Sequence, residues 1–433
     1  MALDKISAHP QRVALSNELH ARPFPILSAP ARAAAVAIER DGDEDTDRAF
    51  LIRLLDRYGA AHPAPGADHL TAYLGKVTLK WERHTEFMTF TLYADGVAEV
   101  PFNGELFEFF PSEWLSDAPG RLLTSILVRV EREESLASAS ARLSKVGSDW
   151  FYSEAMAAAT VLEGDALVAG DFRMDPAGHI RFAVFKLGKT GSDRVGRIVQ
   201  RLIEIETYKT VAMLTLPIAR DVFARLTTLD REMSRVVHDM GDASDDSQRT
   251  LDRLLDLSST VESFSAETAY RFTAAEAYSA LVHQRVAVLR EERVAGHQLF
   301  SEFMMRRFEP AMRTCRSARE RLVDISNRAA RASRLLSTRV TVATNIQNRE
   351  LLKKMDRRAA LQLRLQETVE GLSVVAISYY AVNLLSTFLS PAAEPLGITA
   401  GWLTAGLVPP VVIAVAWAVR RIRRLANERS RPD

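Results

Sequence analysis

The runs GLSVVAISYYAVNLLSTFLSPAA, Gly371–Ala393, and LGITAGWLTAGLVPPVVIAVAWAV, Leu396–Val419, decide the architecture of this chain. Neither contains a charged residue. Each exceeds the ~20 apolar residues that a helix needs to cross a hydrocarbon core of about 30 Å. Lys353, Lys354, Arg357, Arg358 and Arg364 precede the first run and Arg420, Arg421, Arg423 and Arg424 follow the second, whereas the connection between them carries only Glu394. Basic residues stay on the cytoplasmic side of a membrane. The expectation is a two-span hairpin in the inner (cytoplasmic) membrane with both termini cytoplasmic. Lys353, Lys354, Arg357, Arg358, Arg420, Arg421, Arg423 and Arg424 would then meet anionic lipid headgroups, each contributing about 1 kcal/mol.

Working back from the hairpin, the interval between Pro310 and Pro391 holds one glycine, Gly371. Such a stretch predicts a single very long helix running into the first span, on the order of 100 Å at ~1.5 Å per residue. Leu322, Ile325, Ala329, Ala332, Leu336, Ala343 and Ile346 repeat at spacings of a helix-on-helix or coiled-coil seam. Its expected partners are Ser192–Met240 and Gln248–Gly296. From Arg313 to Arg364 there are fourteen Lys/Arg against four acids, whereas Asp221–Glu267 holds eleven acids against five arginines. Complementary pairing of these helices follows. The intervening loop, with Asp239, Asp242, Asp245 and Asp246, offers hard oxygens to a divalent cation but lacks the spacing and glycine of an EF-hand.

Ahead of residue 188 the chain changes character. Ala33–Ile38, Lys76–Trp81, Phe87–Tyr93, Ser125–Glu131, Leu167–Phe172 and His179–Phe185 read as strands between Pro/Gly clusters, with helical pieces at Thr46–Tyr58 and near Glu105–Phe110. The predicted class is α+β. Its parts are a cytosolic mixed α/β head (1–187), an antiparallel helical stalk (188–368), a transmembrane hairpin (369–419) and a basic tail (420–433).

Composition narrows the function. Hydrophobic residues make up 47% of the 433 and the formal net charge is +1, which supports a substantial core and argues for no nucleic acid partner. The opening MALDKISAHPQRVALSNELHARP has no continuous apolar core of a cleavable signal. The one cysteine, Cys315, excludes an internal disulfide and a Cys-rich zinc site. No metal and no cofactor are expected from the motifs, since there is no Gly-rich phosphate loop, HExxH, GxSxG or Rossmann fingerprint.

Two sets of polar residues stand out. Ser373, Tyr380, Asn383, Thr387 and Ser390 lie on one face of the first span, where they either line a pore or form a hydrogen-bonded seam between helices. Gly397, Gly401 and Ala405 permit close backbone contact in the second span, which Pro409-Pro410 would bend. In the head, His20 and Arg22 of Asn17–Pro23, and Arg83, His84 and Glu86 of Trp81–Phe87, join imidazole, guanidinium and carboxylate. That combination suits acid–base work, the holding of a phosphate or carboxylate, or structural ion pairing. If Arg83–Phe87 were extended, His84 and Glu86 would share one face and Arg83 the other. Glu204 and Glu206, two residues apart on a helix, point apart.

The segments NELHARP, LKWERHTEF, RIVQRLIEIETYK, RRFEPAMRTCRSARERL and RRAALQLRLQETVEGLSVVAISYY resemble those of a bacterial family of uncharacterised, predicted membrane-anchored proteins. The resemblance covers essentially the whole chain and implies membrane anchoring without an assigned activity. The layout also looks like that of CorA-type magnesium channels, which implies a homo-oligomer. Those channels carry Gly-Met-Asn at the outer end of the first span, where this chain reads LLSTFLSPAAEP. Three functions follow as expectations: an oligomeric scaffold or interaction module at the membrane, an ion channel or transporter, and an enzyme using the His/Glu/Arg clusters.

Overall fold

The computed structural model describes residues 7–12, 23–239, 247–393 and 399–429. They fall into two units, one ending at Ser333 and the other starting at Arg334.

The first unit is organised around strands β1 (Ala31–Glu39), β2 (His69–Leu74), β3 (Val77–Arg83), β4 (Phe87–Asp95), β5 (Leu122–Glu133), β6 (Ala157–Val161), β7 (Ala166–Gly170), β8 (Ile180–Leu187) and β9 (Glu292–Arg293). Among the described residues they form one nine-stranded sheet, ordered β2-β3-β4-β1-β5-β8-β7-β6-β9. β5 and β8 pair in parallel, and the chain between them makes the crossover that a parallel pair requires. The other ladders are antiparallel. β1, ARAAAVAIE, is buried through most of its length because helices cover both faces, so its apolar residues run on without alternation.

Helices α1 (Glu44–Arg57), α2 (Ser112–Ser116) and α3 (Leu136–Trp150) cover one face. Asp43 starts α1, its carboxylate accepting from the Thr46 amide at 2.8 Å, and Glu44, Asp45 and Asp47 follow in the first turn, where the helix dipole favours negative charge. Ser135 and Ser138 cap α3 reciprocally.

The opposite face carries α4 (Ser192–Met213), α5 (Thr215–Asp239), α6 (Ser247–Val288), the short α7 (Phe300–Phe303), a π-helical turn at Met304–Phe308, and the start of α8 (Glu309–Ala393). The expected helix Ser192–Met240 is two helices with a break at Leu214. Pro217 explains this, since it lacks the N–H that would bond to the Met213 carbonyl one turn earlier. Met233, Val236, Leu254, Ala329 and Ala332 form a separate cluster between α5, α6 and α8. Of the anticipated charge pairing, Asp230 and Arg328 meet here at 2.6 Å; Glu276, beyond the expected acidic stretch, pairs with Arg319 at 2.6 Å. These pairs are partly exposed, so each contributes at most about 1 kcal/mol.

The second unit comprises the remainder of α8 and a further helix, α9 (Ala400–Arg429), which continues through Pro409 and Pro410. Both helices are long and apolar enough to cross a membrane. The predicted seam reaches only to Leu336, which is buried; beyond it Ala343 and Ile346 are exposed, as are Leu351, Leu352, Met355, Leu361, Leu363 and Leu365.

Candidate functional site

The sequence LKWERHTEF leaves β3, turns and enters β4. The His84 amide donates to the Phe87 carbonyl at 2.8 Å, closing the hairpin, so 84–86 form a turn and not the extended segment considered from sequence. The turn separates the flagged side chains. Arg83 pairs with Glu44 of α1, whereas Glu86 pairs with Arg271 of α6. Arg271 also donates to the Val211 carbonyl at 3.0 Å, tying α6 to α4. Burial and the Glu86 charge together push the Tyr278 hydroxyl pKa up. His84 instead stacks on Phe87, with ring centroids 4.5 Å apart, and meets Tyr208 of α4 edge-on at 6.1 Å. His20 and Arg22 lie outside the described residues.

His84 opens onto a cavity of about 190 Å³ lined by Phe24, Glu82, Gln200, Arg201, Glu204, Tyr208, Arg285 and Val288. A chain of polar contacts supports its wall. The buried Lys80, 4% exposed, donates to Gln200 Oε1 at 2.9 Å and lies 3.2 Å from Glu82 Oε1. Gln200 in turn donates to Glu204 Oε1 at 2.7 Å, and Arg285 pairs with Glu204 Oε2. For Arg285, burial works against the charged form, but Glu204 and Tyr208 outweigh it and raise the pKa. Arg201 donates to the Val288 carbonyl at 3.3 Å.

Phe24, the member of Pro23–Leu27 that lines the cavity, is placed by the way this segment lies on α4. Leu27 N–H donates to the Ser192 carbonyl at 3.2 Å, and the Arg197 guanidinium lies 6.0 Å from the Phe24 ring. A Cβ on Gly196 would come within 1.6 Å of the Pro25 carbonyl oxygen. Only glycine lets the segment lie this close to α4.

Lys80, Gln200, Arg201 and Arg285 were not singled out from sequence as site residues. Gln200, Glu204 and Tyr208 recur every four residues and therefore share a helical face, which was the available signal. Glu206 points elsewhere, to Lys209 at 3.0 Å and Thr210 at 2.9 Å.

In the second unit the contact between α8 and α9 is made by Ser386 and Thr404, 3.2 Å apart, with Ser378, Val382 and Val411 buried. Tyr380, Asn383 and Thr387 are exposed on another face. Ser373 and Thr387 bond back to the Val369 and Asn383 carbonyls, each at 2.8 Å. Among the described residues the Asn383 amide side chain has no such partner. The side chain of Ser390 lies outside the described residues, as do those of Arg423 and Arg424. Lys353, Lys354, Arg357 and Arg358 are exposed, as are Arg420 and Arg421, and the Arg421 guanidinium sits 5.1 Å from the Trp417 ring.

A family model described as "Protein of unknown function (DUF3422)" matches residues 7–426. The chain belongs to the DUF3422 family. This bears out the resemblance to an uncharacterised family carried by NELHARP, LKWERHTEF and the three longer segments. No curated protein matches the chain. The family description assigns no activity, and the match lends no support to a CorA-type channel or to an enzyme.

For a DUF3422 protein, the arrangement offers two chemical opportunities. The cavity beside His84 brings together two guanidiniums, two carboxylates, an imidazole and a phenol hydroxyl, and the Asn383 face presents an amide within an apolar span.

Proposed function

We propose that the protein is a membrane-anchored homo-oligomer that carries its sheet-bearing unit as an interaction module on the cytoplasmic face of the inner membrane. The division into head 1–187, stalk 188–368, hairpin 369–419 and tail 420–433 belongs to the same proposal. The observation that carries it is the exposed face of Tyr380, Asn383 and Thr387. The two hydroxyls at Ser373 and Thr387 satisfy themselves within the helix, but the Asn383 amide does not. In hydrocarbon an amide without a partner is costly, so this face seeks protein or water. The contact with α9 already uses Ser378, Val382 and Ser386, which leaves the Asn383 face for a second copy of the chain. The exposed leucines between Leu351 and Leu365 support the same reading, since a partner helix would cover them. The basic residues that flank them suit anionic headgroups.

The test is Asn383→Leu in the full chain, assayed for oligomer mass in detergent and for divalent-cation flux in liposomes. Interhelical amide contacts are worth about 0.6–2 kcal/mol each, so the variant should dissociate at lower detergent concentration, with no flux from either protein. Wild-type flux that Asn383→Leu abolishes without dissociation would replace the scaffold with a channel.

A further inference from the structure

A larger cavity, about 420 Å³, lies between α6 and α8, within the first unit. Its buried floor is made by Phe272, Ala275 and Ser279 of α6 with Met312 and Cys315 of α8. On α6 the larger Phe272 and Val282 are buried on either side of Ala275 and Ser279, whose short side chains leave the space open. α8 enters this stretch from the π-helical turn Met304–Phe308, an irregularity found frequently at functional sites.

Two ion pairs cross from α6 to α8 at the cavity, Glu276 to Arg319 at 2.6 Å and His283 to Glu309 at 3.4 Å. On α6 they stand roughly 10 Å apart at ~1.5 Å per residue. A helix laid along the groove would displace both, whereas a small molecule fits between them. The pairs engage both carboxylates of the rim, and the remaining cation, Arg316, is exposed to water. The floor therefore holds no charge in need of a counter-charge. Its one hydroxyl belongs to Ser279, which is 6% exposed and has no hydrogen-bond partner among the described residues. Thr268 and Thr273 of the same helix bond back to the Phe264 and Ala269 carbonyls. A buried hydroxyl without such a bond is costly.

We propose that this cavity binds a small, neutral, apolar molecule bearing one hydroxyl or carbonyl oxygen. Its apolar body lies against Phe272, Ala275, Met312 and Cys315, and its oxygen meets the Ser279 hydroxyl. The volume lies in the ~300–1,000 Å³ range of small-molecule pockets. At ~30 Å³ per water-sized group it holds roughly fourteen such groups, room for one short chain or ring system and too little for a two-chain lipid. The site is independent of the oligomer proposed above, because its lining lies within the first unit.

The test is photolabelling of the full chain, in phosphatidylcholine nanodiscs, with a short alkyl alcohol that carries a diazirine. Labelled peptides are mapped by mass, with 1-octanol as competitor and octanoate as its charged counterpart. Labelling is expected on the α6 and α8 peptides that contain Ser279 and Cys315, with saturable protection by 1-octanol. Octanoate should protect about ten-fold more weakly or worse, since its carboxylate would be buried without a free cation. Ser279→Ala, which loses one neutral hydrogen bond, should weaken protection about two- to ten-fold. Ala280→Phe, a change at an exposed position on the cavity's edge, should block labelling there. Unfolding of both variants at the wild-type temperature would establish that they are folded. The proposal is overturned by labelling confined to the membrane spans, by no protection up to ~1 mM 1-octanol, or by octanoate protecting as well as 1-octanol. Equal protection in wild type and Ser279→Ala would also overturn it. So would labelling that appears only once the oligomer is diluted apart, which would assign the groove to a second copy of the chain.

Discussion

Glu206, on α4 and 1% exposed, shows how environment sets a side chain's chemistry. Its Oε1 accepts from Thr210 and pairs with Lys209, but its Oε2 has no hydrogen-bond partner. Burial pushes its pKa up, and Asp171 adds to the rise while Lys209 and Thr210 oppose it. A carboxyl whose folded pKa is raised binds more protons in the folded than in the unfolded state between its ordinary value, ~4.3, and the raised one. Its contribution to stability is therefore complete below that ordinary value and is lost as pH rises through the raised one. Glu206→Gln removes this titration. Denaturant unfolding of both proteins from about pH 4 to pH 8 should show the wild type losing stability relative to the variant as pH rises. A constant difference across the range would mean that Glu206 ionises normally.

At the level of elements, the join between Pro23–Leu27 and α4 rests on Gly196. Gly196→Ala places a methyl against the Pro25 carbonyl, a backbone atom that cannot swing aside. Overpacking of this kind typically costs about 1–3 kcal/mol, and thermal unfolding of the variant should show that loss; an unchanged transition would show that the segment is not held against the helix. Much of the sheet around this join was legible. Strands β1, β3, β4, β5, β7 and β8 announced themselves through β-branched and aromatic runs. His69–Leu74 and Ala157–Val161 did not: HLTAYL and AAATV are rich in residues neutral toward strands, and burial among neighbouring strands decides them. α3, LASASARLSKVGSDW, hid behind its serines, although Ser135 and Ser138 supply its start. Of the described cavity residues, His84 alone was flagged from sequence as a site candidate. Lys80, Gln200 and Arg285 come together across separations of 85 to 205 positions, and local spacing cannot encode that convergence. Asn383 was legible for the opposite reason, since an amide among apolar residues is conspicuous in one dimension.

For the whole molecule, the proposed function depends on the hairpin and its orientation. The arginines after Val419 resist translocation and Glu394 does not, so the turn between the spans should be the part that reaches the far side. Cys315 is buried and is the sole native cysteine, so it can be replaced with serine to give a clean background. The decisive measurement is labelling of Cys315→Ser/Glu394→Cys and Cys315→Ser/Ser430→Cys in intact cells with a membrane-impermeant maleimide. The account predicts that position 394 is labelled from outside and that position 430 is labelled only after the membrane is opened. Labelling of position 430 in intact cells would contradict it.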